Sequence, residues 1–156
     1  MLITRRQFQE QINRLGEVAD VTVLDRPEPP TRDELKKAVL GCSGIFAHIT
    51  DLVDGEIMDI AGKNLKVIAE FGVGYDNIKV NDASERNIAV GNTPGVLTET
   101  TADFSFAVIQ SAARRLAESD RFVRNGQWKW FDPLDLLGID INGSTLGIIG
   151  FGRIGK

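Results

Sequence analysis

At 156 residues the chain holds one ordinary domain, or a small domain and part of another. A net charge of −4 leaves no basic footprint for DNA or RNA, and 42% apolar with 26% charged residues is a globular composition. No apolar run approaches the ~18 residues of a membrane span and the opening MLITRRQFQ lacks a signal peptide's apolar stretch, so a cytoplasmic protein is expected; one cysteine and one histidine argue against an internal disulfide and a Cys/His metal site.

Leu2-Ile3-Thr4 reads as a first strand, starting almost at the terminus. Phe8, Ile12 and Leu15 recur at helical spacing, and Gly16 ends that helix. Val21 to Leu24 is a second strand, followed by the proline loop from Arg26 to Pro30. Thr31 with Glu34 makes a capping box that opens a helix ending near Gly41. Gly44 to Ile49 is a third strand, after which Asp51 and Asp54 read as turn and helix-start residues before Glu56 to Ile60. Leu65 to Ala69 is a fourth strand, Val80 to Arg86 a helical segment and Ile88 to Val90 a short fifth strand. Strands alternating with helices predict a parallel sheet with right-handed crossovers, covered on both faces; the continuous apolar runs at 44–49 and 65–69 agree. Residues 1–97 therefore read as a flavodoxin-like α/β unit.

From Thr98, a plausible N-cap, to about residue 125 the pattern predicts one helix about 40 Å long. Its apolar face runs through Ala102, Phe106, Ile109, Ala113 and Leu116, and a helix of that length suits a link between domains. Trp128, Trp130 and Phe131 follow in a loop that reads as an arm packing on a partner subunit, as a tunnel lining, or as a base-stacking platform, the last disfavoured by the acidic chain. Asn142-Gly143 is a turn that delivers the chain into a final strand through Leu146, Ile148 and Ile149.

Two stretches suit the binding of an anion. The loop Phe71-Gly-Val-Gly74-Tyr-Asp-Asn77 follows the fourth strand directly, and in a doubly wound sheet ligands sit outside the carboxyl ends of strands. Gly72 and Gly74 let backbone N–H groups approach a carboxylate; the other reading is a plain strand-to-loop turn. The final strand ends in Gly150-Phe-Gly152-Arg153-Ile154-Gly155-Lys156, which fits GxGxxG, fits the Walker spacing GxxxxGK, and also fits an ordinary glycine turn. His48, at the end of the third strand, has the chemistry of a general acid–base, while Cys42 has no basic neighbour in sequence to activate it.

The order of LKVIAEFGVGYDNIKV, NTPGVLTETTADFSFAVIQSAARR, DRFVRNGQW and GSTLGIIGFGRIGK resembles the D-2-hydroxyacid dehydrogenases, nearest to their glyoxylate and hydroxypyruvate reductase branch. The resemblance implies a flavodoxin-like substrate domain over 1–97. It implies over 98–156 the start of a Rossmann NAD(P)-binding domain, with its linking helix, first strand and dimerisation arm. In that family the active site lies between the two domains. By resemblance the amides of Val73 and Gly74 hold the substrate carboxylate, and Ile49, Thr50 and Asp51 border it. Val73 and Thr101 lie by the nicotinamide, and Gly150, Gly152, Arg153, Ile154 and Gly155 wrap the pyrophosphate of NAD or NADP. The partners implied are a small 2-oxo or 2-hydroxy acid and a second copy of the chain, in a homodimer through 98–156.

The family's catalytic arginine, glutamate and histidine lie downstream of the glycine motif, so no catalytic residue is expected within this chain. His48 does not match that histidine, and Glu70 stands where resembling sequences often carry Asn or Arg. The expectation is the N-terminal part of an NAD(P)-dependent reductase of a short 2-oxo acid. The other expectation is a non-catalytic binding module or pseudoenzyme, for which the family's NAD(H)-sensing corepressors are a precedent. In either case the purified 156-residue chain is predicted to leave NAD(P)H unoxidised with glyoxylate or hydroxypyruvate; turnover in that assay would contradict the expectation.

Overall fold

Apolar runs too short for helices make five strands: β1 (Leu2–Ile3), β2 (Thr22–Val23), β3 (Gly44–Ala47), β4 (Val67–Glu70) and β5 (Ala89–Gly91). They form one sheet in the order β2-β1-β3-β4-β5, with every neighbouring pair parallel. The computed structural model describes residues 1–156, which divide into two compact units, Met1–Gly95 and Val96–Lys156.

The first unit contains the sheet and four helices: α1 (Gln9–Gly16), α2 (Arg32–Ala38), α3 (Gly55–Ala61) and α4 (Val80–Glu85). Strand order reverses between β1 and β3, the position at which doubly wound sheets open a crevice beyond their carboxyl ends. Register along the centre is fixed by Leu2 opposite Ile45 and by Ile45 opposite Ile68, all fully buried. The capping box at the start of α2 is present, with Thr31 accepting from Glu34 N and the Glu34 carboxylate accepting from Thr31 N. Arg26 also grips that carboxylate, and this pair is the main reason the Glu34 pKa falls to about 2. Asp54 caps α3 through Ile57 N.

Right-handed crossovers put α2, α3 and α4 on one face of the sheet and α1 on the other. The three helices pack in sequence and bury Leu35, Ile57, Met58, Ala61 and Ala83. By contrast, α1 buries no residue, and Val67 in β4 remains 39% exposed. Coverage of both faces, expected from the continuous apolar runs, is therefore incomplete in this unit. Strand ends also shift: β3 stops at Ala47 where the chain turns, and β4 extends to Glu70, opposite Ala47.

In the second unit the long helix expected over 98–125 is two helices, α5 (Thr98–Ala113) and α6 (Leu116–Arg124). Thr98 begins α5 rather than capping it; the N-cap position is Leu97, which makes no side-chain bond. The break lies at Arg115, whose φ of 53° is left-handed. The carbonyl that would continue the ladder, Ala113 O, accepts instead from Ile139 N at 2.9 Å. Arg115 then closes a two-bond pair with Glu118 in the first turn of α6. Residues 146–149 carry no strand, because no second strand exists in this unit to complete a ladder.

No helix is long and apolar enough to cross a membrane. Ile68, fully buried in β4 between two paired strands, is a direct measure of core packing. Ile68→Ala is predicted to cost about 2–5 kcal/mol, read as a lower urea midpoint with unchanged slope.

Candidate functional site

The carboxyl ends of β1, β3 and β4 meet around a buried carboxylate. Asp51, 3% exposed, accepts from the Thr4 hydroxyl at 2.5 Å and from His48 N at 2.9 Å, and pairs with Arg5 at 3.2 Å. Charge-assisted bonds from three donors offset the desolvation of Asp51. With the Thr4 proton on Asp51, the His48 ring donates from Nδ1 to Thr4 Oγ1 at 3.1 Å, which sets the tautomer. The ring also packs against Phe46 and Phe71, with centroids 5.8 and 5.3 Å away. Burial pulls the His48 pKa below its ordinary value, the Arg5 charge adds to this and Asp51 opposes it. His48 is thus a neutral packing and positioning group.

Asn77 ties the loop after β3 to the loop after β4. Its Nδ2 lies 3.1 Å from His48 O, 3.1 Å from Asp51 O and 2.9 Å from Glu70 Oε2. Val53 N donates to Asn77 O, and Lys79 N to Val53 O, extending the tie into a short parallel bridge. Glu70 is 2% exposed, and its second oxygen, Oε1, is buried without a hydrogen-bond partner. Burial raises the Glu70 pKa; the Asn77 bond opposes this and the Asp51 charge adds to it.

Above this layer lie the residues singled out from sequence. Ile49 and Thr50 are exposed on the turn after β3, and Thr50 Oγ1 accepts from Arg5. Val73 and Gly74 are exposed on the loop after β4. The loops touch: a Cβ built on Gly72 would come to 3.0 Å from Ile49 Cγ2, so a larger residue here would have to push the exposed Ile49 side chain aside. Thr93 N donates to Gly72 O, and Asn92 Nδ2 to Val73 O, so the loop's carbonyls are turned toward β5. The N–H groups of Val73 and Gly74 have no acceptor within the chain. Two exposed, unpaired amides beside a strand end can take one carboxylate.

In the second unit Thr101 lies in the first turn of α5, half-exposed, with its carbonyl bonded to Ser105. Gly150, Ile154 and Gly155 line a cavity of about 670 Å³ against Phe106 and Ile109 of α5, while Thr101, Gly152 and Arg153 are not among its walls. No group of three or more His, Cys, Asp or Glu is arranged to hold a metal ion.

Sequence reasoning missed Thr4, Arg5 and Asn77 as site residues, and read Asp51 as a turn residue that, by resemblance, borders the substrate. Asp51 does close the turn, through its N–H to His48 O, but its carboxylate points inward. The available signal was a polar residue abutting each apolar run: Thr4 after Leu2-Ile3, and Glu70 after Val67-Ile68-Ala69.

Residues 1–145 match the family described as D-isomer specific 2-hydroxyacid dehydrogenase, catalytic domain. The chain is 43% identical to a glyoxylate reductase of Korarchaeum cryptofilum, over 99% of this chain and 47% of that protein. It superposes on the crystal structure of a Thermus thermophilus protein with a TM-score of 0.92 at 44% identity, covering 99% of this chain and 49% of that one. A second crystal structure, an NADPH-dependent glyoxylate/hydroxypyruvate reductase of Sinorhizobium meliloti in complex with NADP and malonate, gives a TM-score of 0.71 at 30% identity, covering 99% and 46%. The chain spans about half the length of the curated relatives it matches.

Asn77→Ala removes the donor that serves both loops. We predict a loss of about 1–3 kcal/mol in urea unfolding and faster hydrogen exchange at the Asp51 and Val53 amides.

Proposed function

Because the chain belongs to the D-isomer specific 2-hydroxyacid dehydrogenase family, we propose that it is the N-terminal part of an NAD(P)-dependent enzyme reducing a short 2-oxo acid such as glyoxylate or hydroxypyruvate. The observation that carries this reading is the pair of unpaired amides at Val73 and Gly74, presented at the carboxyl end of β4. They hold the substrate carboxylate, and Ile49 and Thr50 border it from the loop after β3. Residues 1–97 act as the substrate domain, and residues 98–156 begin the cofactor domain.

The residues present fit the pyrophosphate end of a dinucleotide. Gly150 takes a φ of +92°, and a Cβ on Gly155 would lie 2.6 Å from Gly150 O, so the turn closes only with glycine. Around Gly152 a Cβ would meet nothing within 4 Å, which leaves its backbone open to a phosphate. Gly150, Gly152, Arg153, Ile154 and Gly155 would hold the pyrophosphate, and Thr101 would lie toward the nicotinamide. When bound, NADH or NADPH supplies the hydride. No residue of this chain is assigned to move the proton, so the chain alone is inactive on this reading. The chain's own part is to fix the carboxylate end of the substrate and thereby orient its carbonyl.

The exposed apolar side chains of the second unit, among them Trp128, Trp130, Phe131 and Leu134, support a homodimer through residues 98–156. On this reading the enzyme works in the cytoplasm.

Oxamate, a non-reacting analogue of a short 2-oxo acid, tests the carboxylate site. In amide NMR of the full chain it is predicted to shift Val73 and Gly74 at millimolar concentration. Shifts confined to other residues would overturn the assignment of this loop.

A further inference from the structure

Glu70 is a carboxyl placed where an anion site should not want one. It ends β4, opposite Ala47 of β3, with its side chain directed into the layer beneath the Val73–Gly74 loop. Oε2 accepts from Asn77 Nδ2 at 2.9 Å. Oε1 has no partner, is shielded from solvent, and lies 3.5 Å from where a Cβ on Gly72 would be. A buried, ionised carboxylate oxygen that accepts nothing is costly, whereas a protonated carboxyl carries no charge to be desolvated and needs one donor fewer.

The groups around Glu70 do not neutralise it. Asp51, from the loop after β3, adds a like charge and already has Arg5 of the β1 end as its counter-ion at 3.2 Å. His48, on the same loop, is directed to Thr4 and is held neutral by burial. The loop after β4 contributes the neutral Asn77, and β5 (Ala89–Gly91) has no titratable side chain. An anion arriving at Val73 and Gly74 would bring a second negative charge to the same loop.

We propose that Glu70 is a positioning residue of the carboxylate loop that takes up a proton when a carboxylate binds at Val73 and Gly74. The inference rests on the reading of that loop as the carboxylate site. Ionised, Glu70 repels the ligand through the glycine loop; protonated, it removes the repulsion and the cost of its own buried, unpaired charge. Ligand binding and proton uptake are therefore linked, and each favours the other by the same factor. The sign follows: affinity is highest below the Glu70 midpoint of the free protein and falls as pH rises through it. In the window between the free and bound midpoints the fall is about tenfold per pH unit, the limit for one linked proton.

The test uses the full chain and oxamate from pH 4 to 9. The Glu70 carboxyl is followed by carbon NMR with and without ligand, and affinity is read from the Val73 and Gly74 amides. The expected result is a Glu70 midpoint raised by oxamate and a matching loss of affinity at higher pH. Glu70→Gln, checked for folding by circular dichroism, is expected to flatten that affinity profile. If oxamate shifts the two amides but leaves the Glu70 midpoint unmoved, the proton linkage is overturned and the carboxylate site stands. If it shifts neither amide at any pH, the carboxylate site fails and the linkage with it. The wild-type titration decides between these outcomes without any variant.

Discussion

Asp51 places a buried negative charge where the strand order reverses, and the geometry of the candidate site depends on how that charge is satisfied. Thr4 and Arg5 come from the end of β1, and the His48 amide from the end of β3. A carboxylate left without these donors would be strongly unfavourable in this environment, so the three are drawn to one point. The turn carrying Ile49 and Thr50 is thereby fixed above the sheet. Asn77 then fastens the next loop to the same turn, through the carbonyls of His48 and Asp51.

The consequence is a division of labour between layers. The lower layer, Thr4, His48, Asp51, Glu70 and Asn77, is shielded and satisfies most of its own hydrogen bonds. The upper layer exposes backbone amides at Val73 and Gly74, whose carbonyl neighbours are occupied by Asn92 and Thr93. Preorganised amides of this kind need no rearrangement to meet a carboxylate. Glu70 is the exception in the lower layer, since one of its oxygens is unpaired. A carboxyl thus sits beneath the glycine loop, and this placement is what the proposed proton linkage rests on.

The second unit is organised on different terms. Its helices α5 and α6 bury no residue, and their apolar side chains remain accessible along with those of the segment that follows. The apolar periodicity through Ala102, Phe106, Ile109, Ala113 and Leu116 was legible as a helical face, but continuity through Arg114 and Arg115 was not. Neither arginine disfavours helix. What ends α5 is a hydrogen bond from Ile139, a residue 26 positions beyond its acceptor Ala113. Likewise Leu146, Ile148 and Ile149 have strand-forming side chains, yet a strand exists only where a neighbour completes its ladder.

Local chemistry in the sequence was enough for the order of strands and helices in the first unit, the capping box at Thr31 and the N-cap at Asp54. It also sufficed for the position of the glycine loop directly after β4, because each depends on residues close together along the chain. The linear order of four motifs also carried the family. Only the tertiary structure decided that Asp51 and Glu70 turn inward, that Thr4, Arg5 and Asn77 belong to the site, and that Val73 and Gly74 keep their amides free. Those facts rest on contacts up to 47 residues apart, as between Thr4 and Asp51. Whether a polar group is buried, paired or left open is set by which strand ends the fold brings together, and no local pattern encodes that meeting.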